Sequence, residues 1–437
     1  MKLDFSKMDI GRSQFNFVRT LMVAPTGGAE VSECLKAAAN IKDKDEEGWI
    51  REWASIAEKV LQIAEEAMQS GQAITARGAY MRASNYYRAA MFSLPPTDDR
   101  LNKFMTLSRE TFRKAAKLFS PPIEVVDIPF GKARLPAYFL SAGQSKLLTL
   151  IAINGGDSIN EELVHWIGFA AVARGWNCLI FEGPGQWSAL QLNPGLYLRP
   201  DYEAPVKVVV DYLTQRNDID PDHIALIGYS LSSQLAPSAA ALEKRISACI
   251  CVGGVITDVN EAFESVWPAL RYALPGVFDH VFTALEKVSP QLHGLANQFR
   301  YSFGISKPHE LLGAWRPFNI KDLAPKIQCP FLVLIGEGEY EQTDARVVLS
   351  TLHFISELTC PVAIHEFEYK DGWVASHCSV GDEGPSQRVI FDWLDRTLIK
   401  EDSSIKAVLL PDWSLLMKYQ HSSEIDKLLQ NIRVSVV

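Results

Sequence analysis

Two hydrophobic periods divide this chain. Up to about residue 120 the apolar positions fall three and four apart, and beyond it short apolar runs alternate with helical stretches. Residues 47–70 put Trp49, Ile50, Trp53, Ile56, Ala57, Val60, Leu61 and Ala64 on one helical stripe that ends at Gly71. A second helix is predicted over 78–91, stopped by Pro95-Pro96. A third follows Asp98, whose carboxylate is placed to cap it. Ser120-Pro121-Pro122 punctuates the change of period, so an N-terminal helical domain is set at 1–122.

From residue 123 the pattern is that of strands and helices in alternation. Strands are predicted at 123–129 and 133–140, then at 147–153, 176–181, 224–228, 248–252, 330–335 and 362–369. The run 147–153 is apolar throughout, as a strand covered on both faces must be. Helices are predicted after 157, at 205–215, 234–244 and 343–358, and finally at 387–399. Residues 255–320 break the alternation with helical, aromatic-rich sequence and are read as a lid insertion. The expected fold class is α/β: a doubly wound, mostly parallel sheet over 123–400, followed by a tail at 401–437. Ligands of such sheets bind at the carboxyl ends of the strands.

Composition narrows the function classes. The net charge is −9 and there is no basic run, which argues against nucleic acid or an anionic membrane surface as partner. No apolar run is long enough to span a bilayer, and the first residues lack the apolar core of a signal peptide. Seven cysteines are scattered without a CxxC pair, which suits a reducing compartment, so a cytoplasmic location is expected.

The candidate chemistry lies at strand ends. Gly228-Tyr229-Ser230 closes an apolar strand and a helical run follows at once, the context of a nucleophile elbow. Ser230 is therefore the candidate nucleophile. His377, after the last strand, is the candidate base. The acid should follow the strand 330–335, where Glu339 is favoured and Glu341 and Asp344 stay open. The backbone N–H groups of Leu231 and Gly156 are the expected oxyanion donors. Asp157, with Glu161 one turn further on, is a candidate auxiliary acid; the competing reading makes Asp157 a helix cap.

Asn154-Gly155-Gly156-Asp157-Ser158 with Glu161-Glu162, Phe181-Glu182-Gly183-Pro184-Gly185-Gln186, the Gly228-x-Ser230-Leu231 elbow and Ala375-Ser376-His377-Cys378 together resemble one branch of the α/β-hydrolases. It is the branch of the 2,6-dihydropseudooxynicotine and fungal heptaketide hydrolases, and the resemblance spans about 123–400. It implies an α/β-hydrolase fold behind a helical N-terminal domain, and cleavage of carbon–carbon bonds next to ketones. It also implies no metal or organic cofactor, and frequently a homodimer. By position it makes Ser230 and His377 triad members, with Glu339 where Asp is more usual. Asp157 would hold or protonate the substrate. Tyr229 stands where Arg is frequent, Ser232 where Gly is usual, and Trp187 where a small residue is common, which implies a pocket of different shape with Tyr229 in contact with substrate. The expected function is a serine hydrolase acting on a polyketide-like or aryl ketone. The alternatives are an esterase, thioesterase or acyl transferase with the same triad, or a binding protein without turnover.

Overall fold

The computed structural model describes residues 12–42, 45–92, 94–143, 146–259, 268–339 and 346–400. The tail at 401–437 lies outside these residues.

Five helices come first: α1 (Arg12–Leu21), α2 (Val31–Asn40), α3 (Glu46–Gln69), α4 (Ala73–Met91) and α5 (Asp99–Ala116). Aspartates start two of them. Asp45 accepts from the Gly48 N–H at 2.8 Å, and Asp98 accepts from the Arg100 N–H at 2.9 Å. Helix α4 begins five residues before the predicted start at 78. Gly78 costs a helix only about 1 kcal/mol, less than this helix gains by burying thirteen of its side chains. Trp53 is fully buried, with Phe17, Trp49 and Tyr86 around it at ring separations of 6.5, 5.6 and 5.5 Å.

The sheet has eight strands: β1 (Glu124–Phe130), β2 (Ala133–Leu140), β3 (Leu147–Ile153), β4 (Asn177–Phe181), β5 (Ile219–Tyr229), β6 (Ile246–Val252), β7 (Phe331–Gly336) and β8 (Val362–Phe367). Their order is β1-β2-β4-β3-β5-β6-β7-β8. The β1–β2 and β2–β4 pairs are antiparallel, and every other pair is parallel. Strand β5 starts at Ile219, before the predicted 224, because Ile219 pairs with Leu147 across a register irregularity. The helices α1 to α5 share one continuous apolar core with one face of this sheet, so packing runs unbroken across the change of period at 122. The other face is covered by α9 (Glu203–Thr214) and α10 (Ser232–Leu242) and by part of the insertion.

Past the ends of β3 and β4 the chain is tied by buried polar side chains. The short helix α6 (Asn160–Leu163) follows β3, and α7 (Phe169–Ala173) continues it after a π-helical turn; α8 (Trp187–Leu192) follows β4. Helix α6 has no capping bond from its own flank. Instead the Glu182 carboxylate reaches over. It accepts from the Asn160 N–H at 3.0 Å, the Ala189 N–H at 3.2 Å and the Ser188 N–H, and so serves the first turns of α6 and α8 together. Gln186 donates to the Asn154 carbonyl at 2.6 Å and accepts from the Gly183 N–H and the Tyr202 hydroxyl. Asn154 bonds Asn160 through its side chain at 2.7 Å.

Burial, with Glu161 nearby, raises the Glu182 pKa to about 7 despite these donors. A carboxyl whose pKa is higher folded than unfolded stabilises most when protonated. That contribution is complete below about pH 4.5 and is lost as the pH rises through about 7. The stability of the wild type relative to Glu182→Gln should therefore grow by up to about 3 kcal/mol as the pH is lowered from 8 to 4.5. Denaturant unfolding of the two proteins across that range checks it.

Candidate active site

Strand β5 ends at Tyr229, and helix α10 starts at Ser232. Between them Ser230 is held at φ +53°, the left-handed region that a non-glycine residue enters only when its surroundings enforce it. Its N–H donates to the Val252 carbonyl at 3.0 Å, which ties the turn to β6. The turn is so tight that a Cβ on Gly228 would lie 2.0 Å from the Ser232 carbonyl oxygen. Ser232 fills the place where a glycine is usual, and its buried hydroxyl donates to the Asn154 carbonyl.

The structure brings Ser230, His377 and Glu339 into one line. His377 Nε2 is 2.9 Å from Ser230 Oγ, and His377 Nδ1 is 2.6 Å from Glu339 Oε1. A carboxylate only accepts, so Nδ1 carries the proton, and in the neutral ring Nε2 is left to accept from the serine hydroxyl. Glu339 follows β7 and its side chain is 2% exposed. It also accepts from the Cys378 N–H at 3.3 Å. The alternatives Glu341 and Asp344 lie outside the described residues. Burial works against the imidazolium, but Cys378 and the Glu339 carboxylate outweigh it and raise the His377 pKa well above the ordinary histidine value. The loop folds over through Cys378 and Ser379, at φ +54° and +60°. Gly253, at φ +100°, makes room beneath it, since a Cβ there would lie 2.9 Å from Cys378 Sγ.

Ser230 opens on a cavity of about 280 Å³. The insertion roofs it with Ile256, Val259, Leu295, Phe299 and Trp315, and the first helix adds Phe15 and Arg19. Not all of the insertion's aromatics serve this wall. Phe278 and Phe282 form a satellite core with Ala296 and Leu312, while Phe263 and Trp267 lie outside the described residues. Among the expected oxyanion donors, Leu231 lines the cavity. Of the glycine pair, Gly155 lines it, with its N–H donating to Ser158 Oγ at 2.8 Å. Gly156 faces Gln298, and its carbonyl accepts from Trp187 Nε1 at 2.7 Å.

Asp157 lines the cavity, but in company that the sequence does not announce. Arg19 Nη1 lies 3.1 Å from Asp157 Oδ2. The same guanidinium forks onto Glu162, with Nε–Oε1 and Nη2–Oε2 both at 2.6 Å, and Arg88 adds a contact to Glu162 at 3.4 Å. Arg19 stands 5.4 Å from the Phe92 ring and 5.3 Å from the Trp166 ring. Side-chain exposure is at most 2% for Arg19, Arg88 and Glu162, against 32% for Asp157, so Asp157 is the member of the cluster that meets the cavity. Glu182 supplies the first turn of α6 with a bond at the Asn160 N–H. The Arg19 guanidinium holds Asp157 in an ion pair at the cavity edge. Glu161 is not brought to Ser230. It accepts from the Tyr138 hydroxyl at 2.6 Å and lines a separate small cavity against α4 and α5, where burial raises its pKa. Tyr229 does line the cavity, edge-on to Trp166 at 5.8 Å. Among the described residues its buried hydroxyl has no hydrogen-bond partner, and burial pushes the phenol well up.

A nucleophile elbow on the central strand of such a sheet, with an acid after β7 and a histidine after β8, defines an α/β-hydrolase. A family model described as esterase FrsA-like matches residues 41–270, and the chain belongs to that family. Hydrolase acrC of Aspergillus aculeatus is 35% identical over 348 residues, covering 73% of this chain and 81% of its own. The 20-hydroxy-prefusarin hydrolase FUS2 of Gibberella moniliformis is 34% identical over 339 residues, covering 73% and 80%. The crystal structure of a 2,6-dihydroxy-pseudo-oxynicotine hydrolase shares the fold with a TM-score of 0.68 at 23% identity, covering 88% of this chain and 96% of that one. The chain is thus an α/β-hydrolase related to fungal hydrolases. Among the described residues no helix is long and apolar enough to cross a membrane.

Removing Arg19 should be costly, because the buried Glu162 carboxyl would lose its forked partner. Arg19→Met should destabilise the protein by about 3–5 kcal/mol, and Arg19→Lys by less, since it keeps the cation without the fork. Equilibrium unfolding of both variants checks this. A loss under about 1 kcal/mol for Arg19→Met would mean that Arg88 alone satisfies Glu162.

Proposed function

We propose that this hydrolase cleaves a carbon–carbon bond next to a ketone, in a polyketide-like or aryl ketone substrate, through Ser230, His377 and Glu339. The observation that carries the reading is the continuous chain of contacts from Ser230 Oγ to His377 Nε2 and from His377 Nδ1 to Glu339. Ser230 attacks the ketone carbonyl while its proton passes to His377. The oxyanion donors in this reading are the N–H groups of Leu231 and Gly156, since the Gly155 N–H is already given to Ser158. As the tetrahedral intermediate collapses, the carbon–carbon bond breaks, its electron pair leaves with the departing carbon, and that carbon takes the proton from His377. Water, deprotonated by His377, then hydrolyses the acyl-enzyme to a carboxylic acid. The apolar roof suits a flat, weakly polar substrate. The similar FUS2 protein is named for a hydroxylated small molecule, 20-hydroxy-prefusarin, which supports an oxygenated substrate here.

The Arg19–Asp157 ion pair favours a second reading, an esterase or thioesterase. It makes Asp157 a hydrogen-bond acceptor for substrate and leaves His377 as the proton donor at the reacting carbon. An alkoxide or thiolate needs less help to leave than an enolate does.

Ser230→Ala and His377→Ala should each lower turnover by about 10⁴-fold or more, and by similar factors, because such residues act as a unit. Glu339→Gln should cost less. A fluorophosphonate probe should label the wild type and not Ser230→Ala. The two readings separate on paired substrates, an aryl β-diketone and an activated aryl ester. Turnover of the ester alone sinks the carbon–carbon reading, and labelling that survives in Ser230→Ala sinks both.

A further inference from the structure

Beyond the reaction itself, the relay contains the makings of a metal site. Cys378 follows His377 directly, and its left-handed backbone turns the thiol back onto the imidazole. Cys378 Sγ lies 3.6 Å from His377 Nε2 and 3.2 Å from the Val252 carbonyl oxygen. Ser230 Oγ is 2.9 Å from the same Nε2. All three residues line the one cavity, so an ion entering it meets them together.

The spacing is that of two ligands on a single tetrahedral ion. With metal–nitrogen and metal–sulfur bonds of about 2.0 and 2.3 Å, atoms this far apart subtend about 110° at the metal. The ring is already set for the purpose. Glu339 holds Nδ1 at 2.6 Å, the carboxylate–imidazole–metal arrangement that fixes tautomer and orientation and makes the free nitrogen a better ligand. The ligating atoms of Glu339, His377 and Cys378 lie within 4.8 Å of one another. Thiolate and imidazole select zinc-like ions over magnesium or calcium.

We propose that His377 Nε2, Cys378 Sγ and Ser230 Oγ form an inhibitory site for a thiophilic divalent cation of the Zn²⁺ class, with water completing the shell. Binding exchanges the Cys378 S–H proton, released to solvent, for a metal–sulfur bond. The cation takes the Nε2 lone pair that the serine hydroxyl uses, so the relay is interrupted while the metal stays. The inhibitory effect rests on Ser230 and His377 being catalytic, whereas the binding does not.

The test pairs activity with a spectroscopic readout in the wild type and in Cys378→Ser. Buffered Zn²⁺ should inhibit the wild type reversibly, with activity restored by a chelator, and Mg²⁺ at the same concentration should not. Cys378→Ser, measured against its own uninhibited rate, should need at least about tenfold more Zn²⁺. Co²⁺ added to the wild type should give a sulfur-to-cobalt charge-transfer band in the near ultraviolet that Cys378→Ser lacks. Equal inhibition of both proteins, no band in the wild type, or a band that survives in Cys378→Ser overturns the site. A band that requires Cys378 without any inhibition supports the site and counts against the catalytic role given to Ser230 and His377.

Discussion

The site depends on how closely helix α10 can approach strand β5. Ser230 reaches its left-handed conformation only because the helix starts within van der Waals range of the strand end. Gly228 permits that approach by having no side chain, and Ser232 by bonding across it to the Asn154 carbonyl. The same carbonyl accepts from Gln186. The end of β3, the turn after β4 and the elbow after β5 are therefore held at one buried oxygen, with Asn160 and Glu182 extending the network to the helices behind. Buried polar groups of this kind are costly where unpaired. Among the described residues Asn154 Oδ1 has no partner, while the Asn154 carbonyl, the Gln186 amide and both Glu182 oxygens have theirs. Once paired they fix relative positions more tightly than apolar packing alone, and a nucleophile that must meet its base within a few tenths of an ångström needs such a base plate.

A second buried polar system works on the opposite wall. Arg19, Arg88, Glu162 and Asp157 carry two charges of each sign, so the cluster is formally neutral although three of its members are almost wholly out of water. Such a cluster adds little net stability over an apolar substitute, but it is unforgiving of losing one partner. Its consequence here is positional. Arg19 comes from the first helix and Asp157 from the end of β3, so the N-terminal helices contribute directly to the cavity wall and are more than a support stacked against the sheet. Two aromatic rings and a forked carboxylate hold the guanidinium, which in turn holds Asp157 at the cavity edge.

The sheet was legible because its signal is periodic and local: each parallel strand is a short run of buried residues bounded by turn chemistry. Chain order and strand-end placement constrain where a nucleophile, an acid and a base can sit in a doubly wound sheet, which singled out Ser230 and His377 as candidates but left the acid open among Glu339, Glu341 and Asp344. Residues whose importance arises only in three dimensions were not legible. Arg19 reads as one more cation on an amphipathic helix, and nothing in its neighbours announces a partner 138 positions away. Gly253 looks like half of an ordinary glycine pair until Cys378 is seen above it. Glu161 and Asp157, four residues apart, look interchangeable as auxiliary acids. The structure sends one to Tyr138 at the helical interface and the other to Arg19 at the cavity, because helix α6 begins between them at Asn160.

The imidazole of this relay is held at both nitrogens, although 28% of the side chain stays exposed. Glu339 fixes one nitrogen, Ser230 occupies the other, and the Cys378 sulfur lies 3.6 Å from that second nitrogen, with Gly253 beneath. A ring so placed can rotate little, so a proton taken from Ser230 is returned along nearly the same direction. For an ester that rigidity is a convenience, because the leaving oxygen lies close to the attacking one. For a carbon leaving group the demand is stricter, since the carbon must come to the single nitrogen that holds the proton. The substrate, more than the ring, must then supply the motion. The roof of Leu295, Phe299 and Trp315 over Ser230 sets how far a bound ketone can turn, and the choice between ester and carbon–carbon chemistry passes from the relay to the shape of the cavity above it.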